Sequence, residues 1–409
     1  MRSGSGGGGL GGPRGARWVR AAALAVLGGG ALTGPAVAQP QAAATLDVEV
    51  EVVARGLEHP WAVAFLPGGR WLVTERAGRL RVVAPDGQVG PPVEGLPPIQ
   101  AGGQGGLLDV ITDRDHAQNR TVHFCYTEPG LTPDGRPGNS TAWASARLSE
   151  DLRRLEDVQV RFSQRPKWAG SLHFGCRLVH APDGLVYLAL GERFQRASDA
   201  QTLDNHHGKV VRLRADGTVP PDNPFVGRPG ALPEIWSLGH RNPQGATWGA
   251  DGRLWITEHG PQGGDEVNRP TAGANHGWPV VTHGERYGGG PIGSGASSAP
   301  GMAPPWHQWT PSIAPSGLVW VQGDRYPGWR GSLLVGALKA RRLVRLVPDG
   351  DRPPREQVLL ARLDRRIRDV RQAPDGWLFV LTDERDGQLL RLRPVPAPPV
   401  SLPGSGGTP

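Results

Sequence analysis

Short runs of alternating apolar and polar residues, separated by glycine turns, dominate the chain. One phrase recurs: an apolar run, a Pro-Asp-Gly or similar turn, a second alternating run and then, as a rule, Thr-Glu or Thr-Asp. It occurs in full four times, at residues 62–76, 178–193, 246–259 and 369–385. The Asp-Gly or Gly-Gly of each turn supplies the positive φ of a tight β-hairpin. The pattern therefore predicts hairpins, and helical spacing is almost absent.

These hairpins recur at one or two units of roughly 60 residues, and weaker copies fill the double gaps at residues 106–126 and 317–339. Six similar units of short strands are typical of blades arranged around an axis. Independent hairpins of a β-sandwich are the alternative, but sandwiches seldom repeat one phrase at even spacing. We therefore predict an all-β fold, a six-bladed β-propeller, as one domain over residues 39–395.

Two further segments lie outside the repeating pattern. Residues 284–308 contain too few apolar side chains to form a blade, which predicts a long surface connection of the kind that borders functional sites. Residues 396–409 are rich in proline, glycine and serine, which predicts a disordered tail.

The amino terminus predicts export. The arginines Arg2, Arg14, Arg17 and Arg20 precede a short apolar run that ends in Ala36-Val37-Ala38. This order is typical of a secretory signal peptide, here residues 1–38, and predicts a periplasmic or secreted protein. The run is shorter than the about 20 residues that span a bilayer, so we expect no membrane insertion. Without this segment 41 basic residues face 38 acidic ones, a balance that does not favour a nucleic-acid partner.

Cys125 and Cys176 are the only cysteines. Their number and separation exclude a C-x-x-C metal or redox motif. Both lie in apolar, strand-like runs, and an oxidising compartment permits a disulfide between them. A disulfide and two buried thiols stay equally open, because the spacing does not give the Cα separation.

Polar residues at the connections between the predicted blades are the candidates for chemistry. A propeller brings the ends of its inner strands around one channel mouth, so residues distant in sequence converge there. The candidates are one histidine, four cationic side chains and two amides: His173, Arg241, Lys339, Arg366, Arg368, Asn242 and Gln104. They supply one base and several donors for carboxylate or quinone oxygens. A structural histidine and solvated arginines are the competing interpretation.

A second loop carries hard oxygen donors. Residues 258–279 combine glycines and prolines, which expose the backbone, with the carboxylates of Asp265 and Glu266. Oxygen donors on a loop of this kind suit Ca²⁺, although their spacing is not that of an EF-hand. The pattern alone leaves calcium binding open.

Seven stretches of the chain together resemble one family. AGGQGGLLD, GCRLVHAPDGLVYLALGE, LGHRNPQG, EHGPQGGDEVN, GANHGWP, PSIAPSG and RIRDV occur in the order seen in the soluble glucose/sorbosone dehydrogenases. The resemblance runs from about Gly56 to Leu392 and extends in particular to the bacterial aldose sugar dehydrogenases. It implies a six-bladed propeller that uses Ca²⁺ and pyrroloquinoline quinone (PQQ).

The resemblance implies a role for each matching side chain. His173 would take the proton of the sugar's anomeric hydroxyl while hydride passes to the quinone, a task that suits an imidazole, whose ordinary pKa is about 6.5. Arg241 would stabilise the negative charge that develops on the quinone oxygen. Gln104 would contact the sugar and cofactor region. The groups implied to hold the cofactor's carboxylates and ring oxygens are Asn242, Lys339, Arg366 and Arg368.

The resemblance also implies two calcium ions. The backbone carbonyls of Gly260 and Pro261 would bind the Ca²⁺ that polarises the quinone. Glu266 would bind a second, structural Ca²⁺, with carbonyls near His276 and Thr282 as further ligands. Trp306 or Trp309 would offer an apolar platform to the sugar, although a tryptophan in such a loop is as often plain packing.

Two positions depart from the family pattern. The family usually has Gly-Asp after the third-blade strand, where the carboxylate orients the base, whereas this chain has Gly191-Glu192. The longer side chain puts the orientation of His173 in question. Cys176 stands where a glycine is common, which predicts local repacking around it.

The expected activity is that of a periplasmic quinoprotein that oxidises the C1 hydroxyl of aldoses to lactones, with an electron acceptor that the sequence does not identify. A calcium-dependent lactonase on the same fold is one alternative, but it needs a metal ringed by carboxylates and asparagines where this chain offers arginine and lysine. A non-catalytic interaction propeller is the other, since fold does not fix function. Such a module has no reason to combine the base His173 with four cationic and amide groups suited to a cofactor, which are Arg241, Asn242, Lys339 and Arg368.

Overall fold

The computed structural model of the protein describes residues 48–395. The predicted signal peptide and the predicted tail lie outside the described residues, and so does the start of the predicted domain. Within residues 48–395 the chain forms 24 β-strands arranged as six four-stranded antiparallel sheets. The predicted all-β, six-bladed β-propeller is confirmed.

Five blades are built from four consecutive strands each, and the sixth from both ends of the described chain. Blade 1 contains β2 (Pro60–Leu66), β3 (Arg70–Glu75), β4 (Arg79–Val83) and β5 (Val89–Pro92); blade 2 contains β6 (Leu107–Thr112), β7 (Thr121–Leu131), β8 (Pro137–Leu148) and β9 (Leu155–Ser163). Blade 3 contains β10 (Gly175–His180), β11 (Leu185–Leu190), β12 (Lys209–Arg214) and β13 (Ile235–Leu238); blade 4 contains β14 (Pro243–Trp248), β15 (Leu254–Glu258), β16 (Asp265–Asn268) and β17 (His307–Trp309). Blade 5 contains β18 (Pro315–Trp320), β19 (Leu333–Ala337), β20 (Arg342–Asp349) and β21 (Arg352–Leu359); blade 6 contains β22 (Ile367–Gln372), β23 (Leu378–Thr382), β24 (Gly387–Pro394) and β1 (Val48–Leu57). The described helices are short: α1 (His116–Asn119) and two 3₁₀ turns at Ala197–Gln201 and Ala361–Leu363.

The repeated sequence phrase forms the inner half of every blade. Each of its six copies contains the turn between the first two strands of one blade, for example β10 with β11 and β22 with β23. The turn glycines Gly184 and Gly376 have φ of 86° and 89°, values that a side chain with a Cβ rarely adopts. Local turn chemistry therefore sets the blade repeat.

Ring closure depends on the pairing of β1 with β24. The two strands are antiparallel, with Val48 opposite Pro394 and Val52 opposite Leu390. The first strand of each blade contacts the first strand of the next, and β22 contacts β2, so the ring is continuous. The inner strand of each blade is an edge strand of its sheet, and closure places it against the inner strands of the two neighbouring blades.

A buried ionic cluster fills the channel between the inner strands. Arg177 donates to Asp109 and Asp369 at 3.2 and 3.0 Å, and Arg371 also forms ion pairs with both carboxylates. Arg177 also donates to the carbonyl of Gln244 on β14, which ties a fourth inner strand to the group. The charges are paired and hydrogen-bonded, which is the condition for burying them. The cluster makes the channel a packed core that separates its two ends.

Cys125 on β7 and Cys176 on β10 form a disulfide between blades 2 and 3. This finding decides between the two alternatives that the sequence left open. Cys176 thus has a partner at the position where the family pattern has a small residue. Within residues 48–395, no helix is long and apolar enough to cross a membrane.

Candidate functional site

The predicted site residues gather at one end of the propeller, where the inner strands begin. His173 and Arg241 directly precede β10 and β14, and Arg368 lies at the start of β22. The second strands of the blades run antiparallel to the first and so end at the same face. Glu192, Gly260 and Lys339 follow those second strands and reach that face from blades 3, 4 and 5.

His173 and Glu192 form a buried pair. His173 Nδ1 lies 2.8 Å from Glu192 Oε2, and the side chains are 5% and 1% exposed. A proton on Nδ1 that faces the carboxylate leaves Nε2 as a hydrogen-bond acceptor. Burial lowers the pKa of His173, the Glu192 carboxylate opposes that shift, and the Arg241 charge adds to it. The imidazole is therefore neutral at neutral pH, with one lone pair ready to accept a proton.

The backbone around this pair is held in unusual conformations. His173 has φ of 51°, and its N–H donates to Gln104 Oε1 at 2.8 Å. Arg193 and Phe194 have φ of 65° and 63°, and the Phe194 N–H donates to the same Glu192 oxygen. Non-glycine residues in the left-handed region concentrate at functional sites. Glu192 therefore bonds His173 although its side chain is longer than the aspartate usual in the family.

The stretch Ser237–Gly245 is fixed by a buried glutamate on the neighbouring strand. Glu258 accepts from the Arg241 N–H at 2.6 Å and bonds His240 Nδ1 at 3.0 Å. His240 in turn bonds Ser237 Oγ at 2.8 Å through its other nitrogen. The histidine of this motif therefore has a structural role, which is to fix the backbone that presents Arg241.

The Arg241 guanidinium is held by backbone carbonyls. Nη1 donates to Gly260 O at 2.6 Å and to His259 O at 3.1 Å, and the Arg241 O accepts from the Glu192 N–H at 2.9 Å. Arg241 Nε has no hydrogen-bond partner among the described residues. Burial lowers the pKa of His259 to about 3, with the charges of Arg241 and Arg368 adding to the shift. The charges of Arg241 and Arg368 therefore both act on this part of the site.

Asn242 and Arg368 are linked through Gln244, which sequence reasoning did not single out although it lies in the same motif. Gln244 Nε2 donates to Asn242 Oδ1 at 3.1 Å, and Gln244 Oε1 accepts from Arg368 Nη1 at 3.0 Å. The oxygen of Asn242 is thus engaged, and its buried Nδ2 donor has no partner in residues 48–395. Arg368 Nε is likewise unpaired there.

Asp383 is the second site residue that the sequence did not reveal. It accepts from Arg368 at 2.9 Å, from Arg366 at 3.3 Å and bonds His59 at 3.0 Å. Burial acts to raise its pKa, but the Arg368 charge and hydrogen bond hold the pKa of this carboxyl well below its usual range. Arg366 is half-buried and also donates to Leu338 O. Lys339 is exposed, and its Nζ bonds no residue that the structure describes.

Four of the five predicted metal-binding residues line one narrow cavity beside Arg241. Gly260, Glu266, His276 and Thr282 surround it together with Glu258, and its volume of about 10 Å³ is near that of a single water molecule or ion. Pro261 is buried next to Gly260 but is outside this lining. Both ring nitrogens of His276 are buried without a partner in the described chain, and the ring stacks on His240 at 4.7 Å.

Two carboxylates, those of Glu258 and Glu266, line this cavity. Burial raises the pKa of Glu266 to about 8, and the charge of Glu258 adds to the shift. Asn268 Nδ2 bonds both carboxylates, at 2.8 and 2.9 Å. Asp265 differs from Glu266, because it accepts from Ser312 and from the N–H groups of Gly260, Ile313 and Ala314. Asp265 therefore fixes the loop through both of its oxygens.

The predicted tryptophan platform is wrong. Trp309 is 7% exposed, and its indole N–H donates to Glu356 Oε2 at 2.7 Å. Trp306 is partly buried and packs perpendicular to Trp255 at 4.8 Å, against the apolar cluster of blades 4 and 5. Both rings stabilise the blades, because the Pro-rich segment before β17 folds back onto the sheet.

The unpaired groups at this end fit an anionic, oxygen-rich ligand and a hard cation. The donors without partners in the described chain are Arg241 Nε, Arg368 Nε, Asn242 Nδ2 and Lys339 Nζ, which suit carboxylate and carbonyl oxygens. The cavity offers two carboxylates and a backbone carbonyl, which are ligands that Ca²⁺ prefers. The donor set therefore fits both implied groups.

Comparison with known proteins agrees with this geometry. The family described as Glucose / Sorbosone dehydrogenase matches residues 57–391. The aldose sugar dehydrogenase YliI of Escherichia coli is 43% identical over 355 residues, which cover 86% of this chain and 94% of that protein. The soluble aldose sugar dehydrogenase of Escherichia coli in its apo-form has a TM-score of 0.81 at 42% identity and covers 85% of this chain and 100% of that one. The PQQ-bound aldose sugar dehydrogenase of Streptomyces coelicolor has a TM-score of 0.70 at 28% identity, with coverage of 86% and 99%.

Proposed function

The chain belongs to the glucose/sorbosone dehydrogenase family, and on that premise we propose that it is a PQQ- and Ca²⁺-dependent dehydrogenase that oxidises the C1 hydroxyl of aldoses to lactones. One observation carries the proposal. A neutral, buried His173 is oriented by Glu192 directly beside the guanidinium-bearing Arg241. Base and cation adjoin at the end of the channel where the unpaired donors also lie.

His173 is the general base of the reaction. Its Nε2 takes the proton of the anomeric hydroxyl, while the two electrons leave C1 with the hydride. The lowered pKa keeps the ring in the form that can accept this proton. Glu192 holds the tautomer and stabilises the imidazolium that forms. Gln104 holds the His173 backbone and lies where it can contact the sugar.

PQQ, when bound, supplies the electron sink that receives the hydride. The chain contributes positioning and charge. Arg241 is immobilised by the His259 and Gly260 carbonyls, so its positive charge is in place before negative charge develops in the transition state. Asn242, Lys339, Arg366 and Arg368 bind the carboxylates and ring oxygens of the cofactor.

The loop after β15 holds calcium. The carbonyls of Gly260 and Pro261 bind the ion that accompanies the cofactor, which supplies Lewis-acid polarisation. Glu266 binds a structural ion with carbonyls near His276 and Thr282, and Glu258 is placed to help balance its charge. Export through the segment at residues 1–38 places the enzyme in the periplasm or outside the cell.

Reconstitution tests the proposal. Purified protein without cofactor is expected to be inert with glucose and an artificial dye acceptor, and to become active after addition of PQQ and Ca²⁺. Nuclear magnetic resonance of the product should show the aldonolactone or its hydrolysis product. Calcium removal with a chelator should abolish the activity, and re-addition should restore it. Protein that binds PQQ and Ca²⁺ but oxidises no aldose of a broad panel would contradict the proposed activity.

A further inference from the structure

Two exposed aromatic side chains stand beside the candidate catalytic residues. Eight large hydrophobic residues are exposed in the described chain: Val52, Leu131, Val160, Phe194, Val226, Val280, Tyr287 and Val358. Phe194 and Tyr287 are the two aromatic members of this set. Phe194 contacts His173, and Tyr287 contacts Arg241. The coincidence of the two exposed rings with the base and the cation requires an explanation.

Phe194 is fixed in place although its ring is 42% exposed. Its backbone N–H donates to the Glu192 carboxylate, and its backbone has a φ of 63°. The ring stands perpendicular to the His173 imidazole, with centroids 5.1 Å apart. One side of the ring meets the base, and much of the rest is open to solvent.

Tyr287 lies on the long connection between β16 and β17 and contacts Arg241. Gln262 and Glu285 pair through both backbone amides and through their side chains, which anchors the base of this arm next to Pro261. Tyr287 Oη lies 3.4 Å from Arg241 Nη2, and the ring centroid lies 6.0 Å from the guanidinium carbon. The ring is 64% exposed.

Neither ring serves the core of the fold. None of the apolar clusters formed by the described residues includes Phe194 or Tyr287. Large aromatic surface left in water beside polar, oriented groups is typical of a ligand-binding site. The surface is available for a ligand that presents apolar C–H groups to the rings and hydroxyls to the polar residues.

We propose that Phe194 and Tyr287 are specificity-determining residues that form two walls of the sugar site and select aldopyranoses with equatorial hydroxyls. The inference rests on the proposed aldose dehydrogenase function and specifies its substrate class. In such a sugar the axial hydrogens make both ring faces apolar, so each face can lie against an aromatic surface. An axial hydroxyl interrupts one face and would be placed against a ring without a hydrogen-bond partner, which is unfavourable.

Steady-state kinetics of the reconstituted enzyme test the proposal. Phe194→Ala and Tyr287→Ala are each expected to raise the KM for glucose by about tenfold, while kcat falls by less than about threefold. The preference for glucose over galactose and allose, which carry one axial hydroxyl each, should shrink in both variants. Tyr287→Phe keeps the ring but loses the hydroxyl beside Arg241, and its KM for glucose should rise less than that of Tyr287→Ala. Leu131→Ala truncates a residue on β7 that is 66% exposed, close to the 64% of Tyr287; it is the matched control and should change nothing.

A purely structural role for the rings predicts a different outcome. If Phe194 only supported His173, Phe194→Ala would lower kcat and shift its pH profile at unchanged KM. Saturation-transfer nuclear magnetic resonance with irradiation of aromatic protons gives a readout independent of turnover: glucose C–H signals should gain saturation with the wild type and lose it with the double alanine variant. Unchanged KM values and unchanged saturation transfer in an active enzyme would overturn the proposal. A reconstituted wild type that oxidises no aldose would instead contradict the proposed function.

Discussion

At the residue scale, the site depends on side chains that fix other side chains. His173 is oriented by Glu192, Asn242 by Gln244, and Arg368 by Asp383. The orienting residue in each pair is buried, and at least one of its polar atoms bonds the side chain that it orients. Such preorganisation reduces the reorganisation needed during reaction. It also makes the Glu192 carboxylate testable separately from the base itself.

Glu192→Gln is expected to reduce kcat by about 10²- to 10⁴-fold, because the amide no longer holds one His173 tautomer. The pH profile provides a second readout. A base acts when neutral, so kcat rises with pH through the His173 pKa, which burial places below its ordinary value. Glu192 opposes that shift, so its neutralisation should move the acid limb to still lower pH. Glu192→Asp keeps the charge and should retain more activity. An acid limb that does not move would contradict the assignment of His173 as the titrating group.

The sequence predicted the residues of the site better than their connections. His173, Arg241 and Asn242 could be located because they stand in motifs that resemble a family. Gln244 and Asp383 were missed, because their hydrogen bonds to Asn242 and Arg368 depend on strand register and side-chain length in the folded chain. The sequence alone does not give these. The opposite error concerned Trp306 and Trp309, whose rings pack into the blades, while Phe194 attracted no notice.

At the element scale, the hairpins can be predicted from local sequence. The pairings between elements that are distant in sequence cannot. The turns of the four full copies of the repeated phrase were predictable because glycine at a positive φ selects a tight turn. β17 is only three residues long and follows a connection of almost forty residues, so no local pattern marks it. The disulfide between β7 and β10 likewise needed coordinates, because 51 residues separate its cysteines.

Replacement of Cys125 and Cys176 by serine is expected to lower the free energy of unfolding by about 4 kcal/mol, the chain-entropy contribution of a loop of this size. Urea or guanidinium unfolding with coincident fluorescence and circular dichroism transitions measures it. The wild type under reducing conditions should lose a similar amount, and the double serine variant should not respond to reductant. Equal stability of the oxidised wild type and the variant would contradict a stabilising role for the disulfide.

At the scale of the whole molecule, the ring combines a cationic end with a buried ionic core. Arg177, Asp109, Asp369 and Arg371 join the inner strands from several blades, and β1 with β24 closes the circle. Buried histidines elsewhere make stability sensitive to acid. Burial lowers the pKa of His180 to about 4, with the nearby His123 adding to the shift, and both of its ring nitrogens lack a partner in the described chain. Burial also lowers the pKa values of His206 and His207, against the pull of their carboxylate partners.

Stability is expected to fall as the pH drops below about 6.5, because the unfolded chain then binds protons that the folded histidines refuse. His180 alone contributes a slope of up to about 1.4 kcal/mol per pH unit between its folded pKa of about 4 and pH 6.5. His180→Phe removes this titration, so the variant should lose about 1 to 2 kcal/mol less than the wild type between pH 8 and pH 5. Parallel pH profiles of unfolding free energy for the two proteins would show that His180 is not a source of the acid sensitivity.

The proposed dehydrogenase function depends on proton removal by His173 beside a bound quinone. The direct measurement is the single-turnover absorbance change of protein reconstituted with PQQ and Ca²⁺ on mixing with glucose, in the wild type and in His173→Ala. We expect both proteins to show the same cofactor spectrum and affinity before mixing. Quinone reduction should then be slower in the variant by at least about a thousandfold. Reduction of the quinone at a near-normal rate in His173→Ala would contradict the central claim.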